Sequence, residues 1–134
     1  MATRSYIGKM DPHTKVITYI YCHYDGYLSH TGRMLVENYN DESKVDELLN
    51  LGNLSYLGEQ IGEKHNFNQP TKGWTLAYGR DRGEQNTEKR LSSFSAYTYD
   101  NGIDYFYLFT EGSWKYSTGG EGEWRKIEIE KIEA

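Results

Sequence analysis

The stretch from Val16 to Tyr39, VITYIYCHYDGYLSHTGRMLVENY, constrains the fold more than any other. Between Lys15 and Tyr24, β-branched and aromatic residues dominate, which is the composition of a strand. Alternation puts Val16, Thr18, Ile20 and Cys22 on one face and Ile17, Tyr19, Tyr21 and His23 on the other. Both faces are substantially apolar, so this strand belongs in the middle of a sheet. A polar cluster of His23, Asp25, Tyr27 and His30 follows, broken at Gly26, and leads into a helical segment. A strand that hands polar groups to a turn and a helix start is a common place for a site.

The flanking segments complete the architecture. Ser5 to Met10 reads as a strand joined to the central one through the turn Asp11-Pro12-His13-Thr14. Ser29 or Thr31 can cap a helix running to about Tyr39, with Leu28, Gly32, Leu35 and Tyr39 at helical spacing. Close approach to the sheet would compensate for the glycine in that stripe. Asn40 or Asp41 caps a second helix, Glu42 to Asn50, stopped near Gly52. Residues 53–62 are expected to add a short helical turn or two, and 63–73 to form a polar loop. Trp74 to Tyr78 is expected as a short strand, and Gly79 to Glu84 as a flexible, donor-rich loop. The C-terminal third reads as a meander, with strands at Phe94 to Tyr99, Ile103 to Thr110, Ser113 to Ser117 and Trp124 to Ile132. The last of these carries the charge an edge strand needs. One α+β domain spanning 1–134 is expected: a mostly antiparallel sheet, built from an N-terminal hairpin and a C-terminal meander, with two to three short helices on one face.

Composition narrows the function. Fifteen Lys and Arg stand against 20 Asp and Glu, a net charge of -5, and neither half of the chain is basic. General nucleic-acid binding is thereby disfavoured, whereas a local basic pocket for a small anion is not. The lone cysteine, Cys22, fits a reducing cytosol and leaves no cysteine cluster for zinc. No signal peptide or membrane span is apparent, so a cytoplasmic location is expected.

Three constellations carry candidate chemistry. His23, Asp25 and His30 combine acid–base and ligating groups, but at no known metal-ligand spacing, and a structural His–Asp pair fixing the turn is the plainer reading. Arg80 and Arg82, with Arg33 and Lys72 as helpers, offer forks for phosphate, against the alternative of ion pairs to Asp81 or Glu84. Thirteen tyrosines and three tryptophans supply rings on which bases stack, although most must serve the core or the sheet. The residues proposed to meet a ligand are Tyr21, His23, Asp25, Tyr27, His30, Arg33, Trp74, Tyr78, Arg80 and Arg82. No catalytic residue, cofactor or metal is assigned.

YIYCHYDGY with Gly32, Leu35 and Tyr39, then KVDELLNLGNLSYLGE, AYGRDRGE and DYFYLFTEGSWKY, resembles a family of small proteins carried by bacteriophages and prophages. The family's usual tryptophan and proline near Tyr24 and Leu28 are absent from this chain. The resemblance implies no catalytic residue. It does imply a phage accessory protein that counters host immunity, most simply a sponge that sequesters a nucleotide immune signal without cleaving it. The alternatives are an inhibitor that binds a host defence protein through an acidic, tyrosine-rich face, and a small nucleotide hydrolase using His23 and Asp25. Sponges of this kind often bind at subunit interfaces, so a homo-oligomer is expected.

Overall fold

The computed structural model describes residues 3–100, 102–119 and 123–128. Its strands are β1 (Ser5–Met10), β2 (Val16–Cys22), β3 (Leu54–Tyr56), β4 (Leu76–Ala77), β5 (Arg90–Ser93), β6 (Tyr105–Thr110), β7 (Ser113–Ser117) and β8 (Arg125–Lys126). They form one mixed, mostly antiparallel sheet in the order β4-β3-β2-β1-β6-β7-β8, with β5 also paired to β2. The helices are α1 (Arg33–Asn38), entered through a π-helical turn at Leu28–Gly32, α2 (Glu42–Asn50) and α3 (Tyr78–Arg82). The expected hairpin is β1–β2, and the expected meander is β6–β7–β8. The sequence gives no hint of the two parallel pairings, β1 with β6 and β2 with β3.

Alternation explains the two cores. Ile7, Ile20, Cys22, Tyr107 and Phe109 point toward the first two helices, where Leu35, Tyr39, Val45, Leu48 and Leu49 meet them. On the opposite face Ile17, Phe106 and Leu108 gather with Tyr97 and Ile103, flanked by Tyr6, Tyr19 and Tyr21. Asp41 caps α2 by accepting from the backbone N–H groups of Ser43 and Lys44, as its type and position predict. Gly32 packs on β6, where an added Cβ would lie 3.4 Å from the Tyr107 ring. Glu111 and Gly112 both adopt positive φ in the β6–β7 turn, the conformation that matches the twist of a tight hairpin.

Four local expectations are corrected. Residues 54–56 form β3 rather than a helical turn, because Leu54 pairs with Cys22 and with Ala77, and tertiary pairing overrides a weak propensity. Tyr78, expected to end a strand, and residues 79–82, expected in a flexible loop, form α3, closed by Gly83 at φ 73 with its N–H on the Gly79 carbonyl. Residues 94–98 are turns, and the strand lies earlier, at β5, where β2 offers a free edge at Val16 to Tyr19. Thr31 does not cap a helix, since its hydroxyl donates to the Asp25 carbonyl at 2.7 Å. The end of the last expected strand, from Ile129 onward, and Asn101 lie outside the described residues.

Gly8 shows how tightly the second core is built. A Cβ there would sit 2.8 Å from Ile17 Cγ2 and 2.9 Å from the Tyr97 hydroxyl, which donates to the Tyr107 carbonyl. Gly8→Ala should therefore cost about 1 to 3 kcal/mol of stability, as overpacking does, read as a lower denaturant midpoint with an unchanged slope.

Candidate functional site

The turn after β2 is pinned from below. The Gly26 N–H donates to the Thr3 carbonyl at 2.9 Å, and its own carbonyl accepts from the buried Tyr107 hydroxyl at 2.6 Å. Asp25 holds φ at 56, and Tyr27 donates to its carboxylate at 3.3 Å. His30 Nε2 lies 2.8 Å from the Leu57 carbonyl, which can only accept, so that nitrogen carries the proton. His23 is hydrogen-bonded through Nδ1 to the Tyr21 hydroxyl at 2.6 Å. Burial, and secondarily the charge of Arg4, push the His23 pKa below its ordinary value. His23 and Asp25 thus take different tyrosines as partners, and among the described residues no hydrogen bond joins them. No group of three or more metal-ligating side chains comes together among the described residues.

The arginine segment is occupied by its own structure. Arg80 donates to Asp81 Oδ1 at 2.9 Å, to the Ile61 carbonyl at 2.8 Å and to the Thr75 carbonyl at 2.7 Å. The Asp81 side chain is fully buried and also accepts from the backbone N–H groups of Ala77 and His65. Burial alone would raise its pKa, but Arg80 and those two N–H groups outweigh it and hold the carboxyl below the usual range. Trp74 packs edge-on to His65, with ring centroids 5.4 Å apart. Arg82 pairs with Glu84 and lies over the neighbouring rings of Phe67 and Tyr78, 4.6 and 4.7 Å from their centroids. Arg33 pairs with Glu37 one helical turn on. The ten residues singled out from sequence are thus spread over several clusters, and the ion-pair alternative describes Arg80 and Arg82.

Another concave site draws mainly on residues outside those ten. On the face away from the first two helices, Tyr6 pairs in register with Tyr21, and Tyr19 with Arg90. Together with Arg4, Asn53 and Asp100 they line a cavity of about 230 Å³. A second lobe of about 440 Å³ adjoins it, sharing Tyr6, Tyr19 and Asp100 and adding Tyr97 and Tyr99. Tyr6 and Tyr19 lie 4.7 Å apart, centroid to centroid. The Tyr6 hydroxyl donates to Asp100 Oδ2 at 2.5 Å, and the Gly102 N–H donates to Oδ1 at 3.0 Å. These bonds hold the Asp100 carboxyl below its ordinary pKa, while burial first and Asp100 second push the Tyr6 hydroxyl well up. Among the described residues neither the Arg4 nor the Arg90 guanidinium has an ion-pair partner. Asn53 Oδ1 accepts from the Tyr21 N–H at 3.0 Å, which leaves its amide protons for the cleft.

Of the ten sequence candidates, Tyr21 lines this cleft and His23 adjoins it through Tyr21. Tyr19 was legible as a partner of Tyr21 from alternation alone. Arg4 precedes β1, whereas Arg90 opens β5 and Asp100 follows the turns after it, and none of the three carries a local signal. Comparison with protein-family models, curated proteins and solved structures gives no match.

Two outcomes follow for the arginine segment. Arg80→Ala should cost about 3 to 5 kcal/mol, the usual penalty for stranding a buried partner, whereas Arg82→Ala should cost about 1 kcal/mol or less, as exposed cation–π contacts do. Urea titration of the two variants separates them. Because the folded Asp81 pKa is depressed, its contribution to stability is present above the unfolded value of about 4 and is lost as pH falls through the folded value. Asp81→Asn should accordingly flatten the acid limb of stability against pH.

Proposed function

We propose that the protein binds a nucleotide-class ligand in the tyrosine-lined cleft and holds it without cleaving it. The observation that carries this reading is a pair of guanidinium groups, Arg4 and Arg90, with no ion-pair partner among the described residues, beside a floor of tyrosine rings in a chain of net charge -5. Cations left unpaired in an acidic protein concentrate positive potential locally, which suits a phosphate. Tyr6, Tyr19 and Tyr21 supply faces on which a base stacks. Asn53 and Asp100 supply a donor and an acceptor for the polar edges of a base or sugar. The cleft is open and of the size small-molecule sites occupy, about 300 to 1,000 Å³, once its second lobe is included.

Binding is favoured over hydrolysis because His23, which adjoins the cleft, is hydrogen-bonded to Tyr21 and, among the described residues, to no acid that would orient it as a base. Joined to the resemblance to phage-carried proteins, this makes the chain a sponge for a nucleotide immune signal of the host. The anion-binding role passes from Arg80 and Arg82 to Arg4 and Arg90. Blockade of a host protein would draw instead on Tyr24 and Tyr27, both exposed beside Asp25.

Equilibrium dialysis against a nucleotide mixture, followed by mass spectrometry of what is released, tests the reading. Ligand should be recovered intact. Arg4→Ala combined with Arg90→Ala should weaken binding about 100-fold, at roughly 1.5 kcal/mol per charge-assisted hydrogen bond, while Arg82→Ala leaves it unchanged. Recovery of cleaved product would establish the hydrolase instead. Retention of no nucleotide would remove the reading altogether.

A further inference from the structure

The two lobes of the cleft differ in chemistry. The smaller holds both guanidiniums and the Asn53 amide. The larger is walled by Tyr6, Tyr19, Tyr97 and Tyr99, with no cation among the described residues that line it. Asp100 stands on the boundary and is the sole carboxylate among the described residues lining either lobe. Resting on the nucleotide reading above, we propose that the larger lobe takes a guanine-type base and that Asp100 selects it through its paired N–H donors, with the phosphate directed to Arg4 and Arg90.

Stacking alone cannot choose a base, because every base has a π-face. Selection must come from an edge, and Asp100 is the group placed to read one. Each carboxylate oxygen already accepts one bond from the protein, Oδ2 from the Tyr6 hydroxyl and Oδ1 from the Gly102 N–H. Those bonds orient the carboxylate and leave each oxygen a further lone pair. An ionised carboxylate only accepts, so it asks the ligand for two adjacent donors at the spacing of its two oxygens. Guanine presents that pair as N1–H and the 2-amino group. Adenine turns a lone pair at N1 toward the same place, which a carboxylate repels, and discrimination then includes a penalty for the wrong base. The Tyr6 hydroxyl cannot substitute as a reader, since its proton is committed to Asp100. Exposed Tyr99 and half-buried Tyr19 supply rings for the base to stack on.

A ribose diol is the other two-donor group a carboxylate can grip, so the test separates base from sugar. Calorimetric titration of the full chain with GMP, AMP and 2′-deoxy-GMP is the measurement. GMP should bind about tenfold or more tighter than AMP, within the range that a bidentate base contact supplies, and 2′-deoxy-GMP should match GMP. Asp100→Asn should bring GMP down to the level of AMP without weakening AMP, because Tyr6 can still donate to the new carbonyl oxygen. Asp100→Ala provides a second substitution with the same expectation, and the melting temperature of each variant reports folding. Equal affinity for GMP and AMP, both lost with Arg4→Ala, would overturn the guanine assignment and leave the nucleotide reading standing. A loss on removing the 2′-hydroxyl as large as the loss on changing to AMP would assign Asp100 to the sugar and likewise overturn it. Binding of none of the three would overturn both.

Discussion

The structure depends on β1 having a neighbour on each side. It pairs antiparallel with β2 over Ser5 to Met10 and parallel with β6 over Ser5 to Lys9. The hairpin β1–β2 and the meander β6–β7–β8 are each local in sequence, and the parallel pairing joins them into one sheet. A parallel neighbour needs a long crossover, and here the whole region between β2 and β6 provides it. Both cores follow from that arrangement, since Ile7 meets Tyr107 on the helical face while Tyr6 meets Phe106 on the other. Gly8 lies on the second face, and its missing side chain lets the Tyr97 hydroxyl through to the Tyr107 carbonyl.

The crossover has its own anchor. Residues 57–75 contain no strand or helix, yet a buried carboxylate at Asp81 gathers Arg80, His65 and the N–H of Ala77 around it. Arg80 reaches onward to the carbonyls of Ile61 and Thr75, so a single ion pair satisfies backbone groups on both sides of the loop. His65 belongs to the same knot, with Nδ1 accepting from the Thr71 N–H and Nε2 facing the Thr75 carbonyl. A segment rich in charge and glycine is thereby used to hold a loop in place. Such burial is justified only because nearly every polar atom finds a partner.

The cleft arises from unequal coverage of the two sheet faces. Two helices close one face over a broad apolar core, whereas the other is covered in part by the turns between β5 and β6. Tyrosine suits the boundary of such coverage, because its body packs while its hydroxyl stays hydrated or finds a carboxylate. Tyr97 is wholly enclosed and Tyr6 half so, while Tyr99 stands in solvent, a gradient that runs from core to cleft wall. The floor of the site and the edge of the core are thus the same ring cluster.

Alternating apolar positions made β1, β2, β6 and β7 readable, and Asp41 with the stripe Val45, Leu48 and Leu49 made α2 readable, because period and capping are local properties of the chain. The tyrosine face of β2 was readable for the same reason. What the sequence could not reveal was which segments would lie beside it. β3 and β5 are strands because β2 had edges to offer, and Arg80 serves Asp81 because the chain returns there with carbonyls to satisfy. Arg4, Arg90 and Asp100 meet only after the sheet closes. Local pattern determines how each piece bends and which side it buries, whereas convergence of distant side chains depends on strand order, and strand order is settled by packing between segments far apart in sequence.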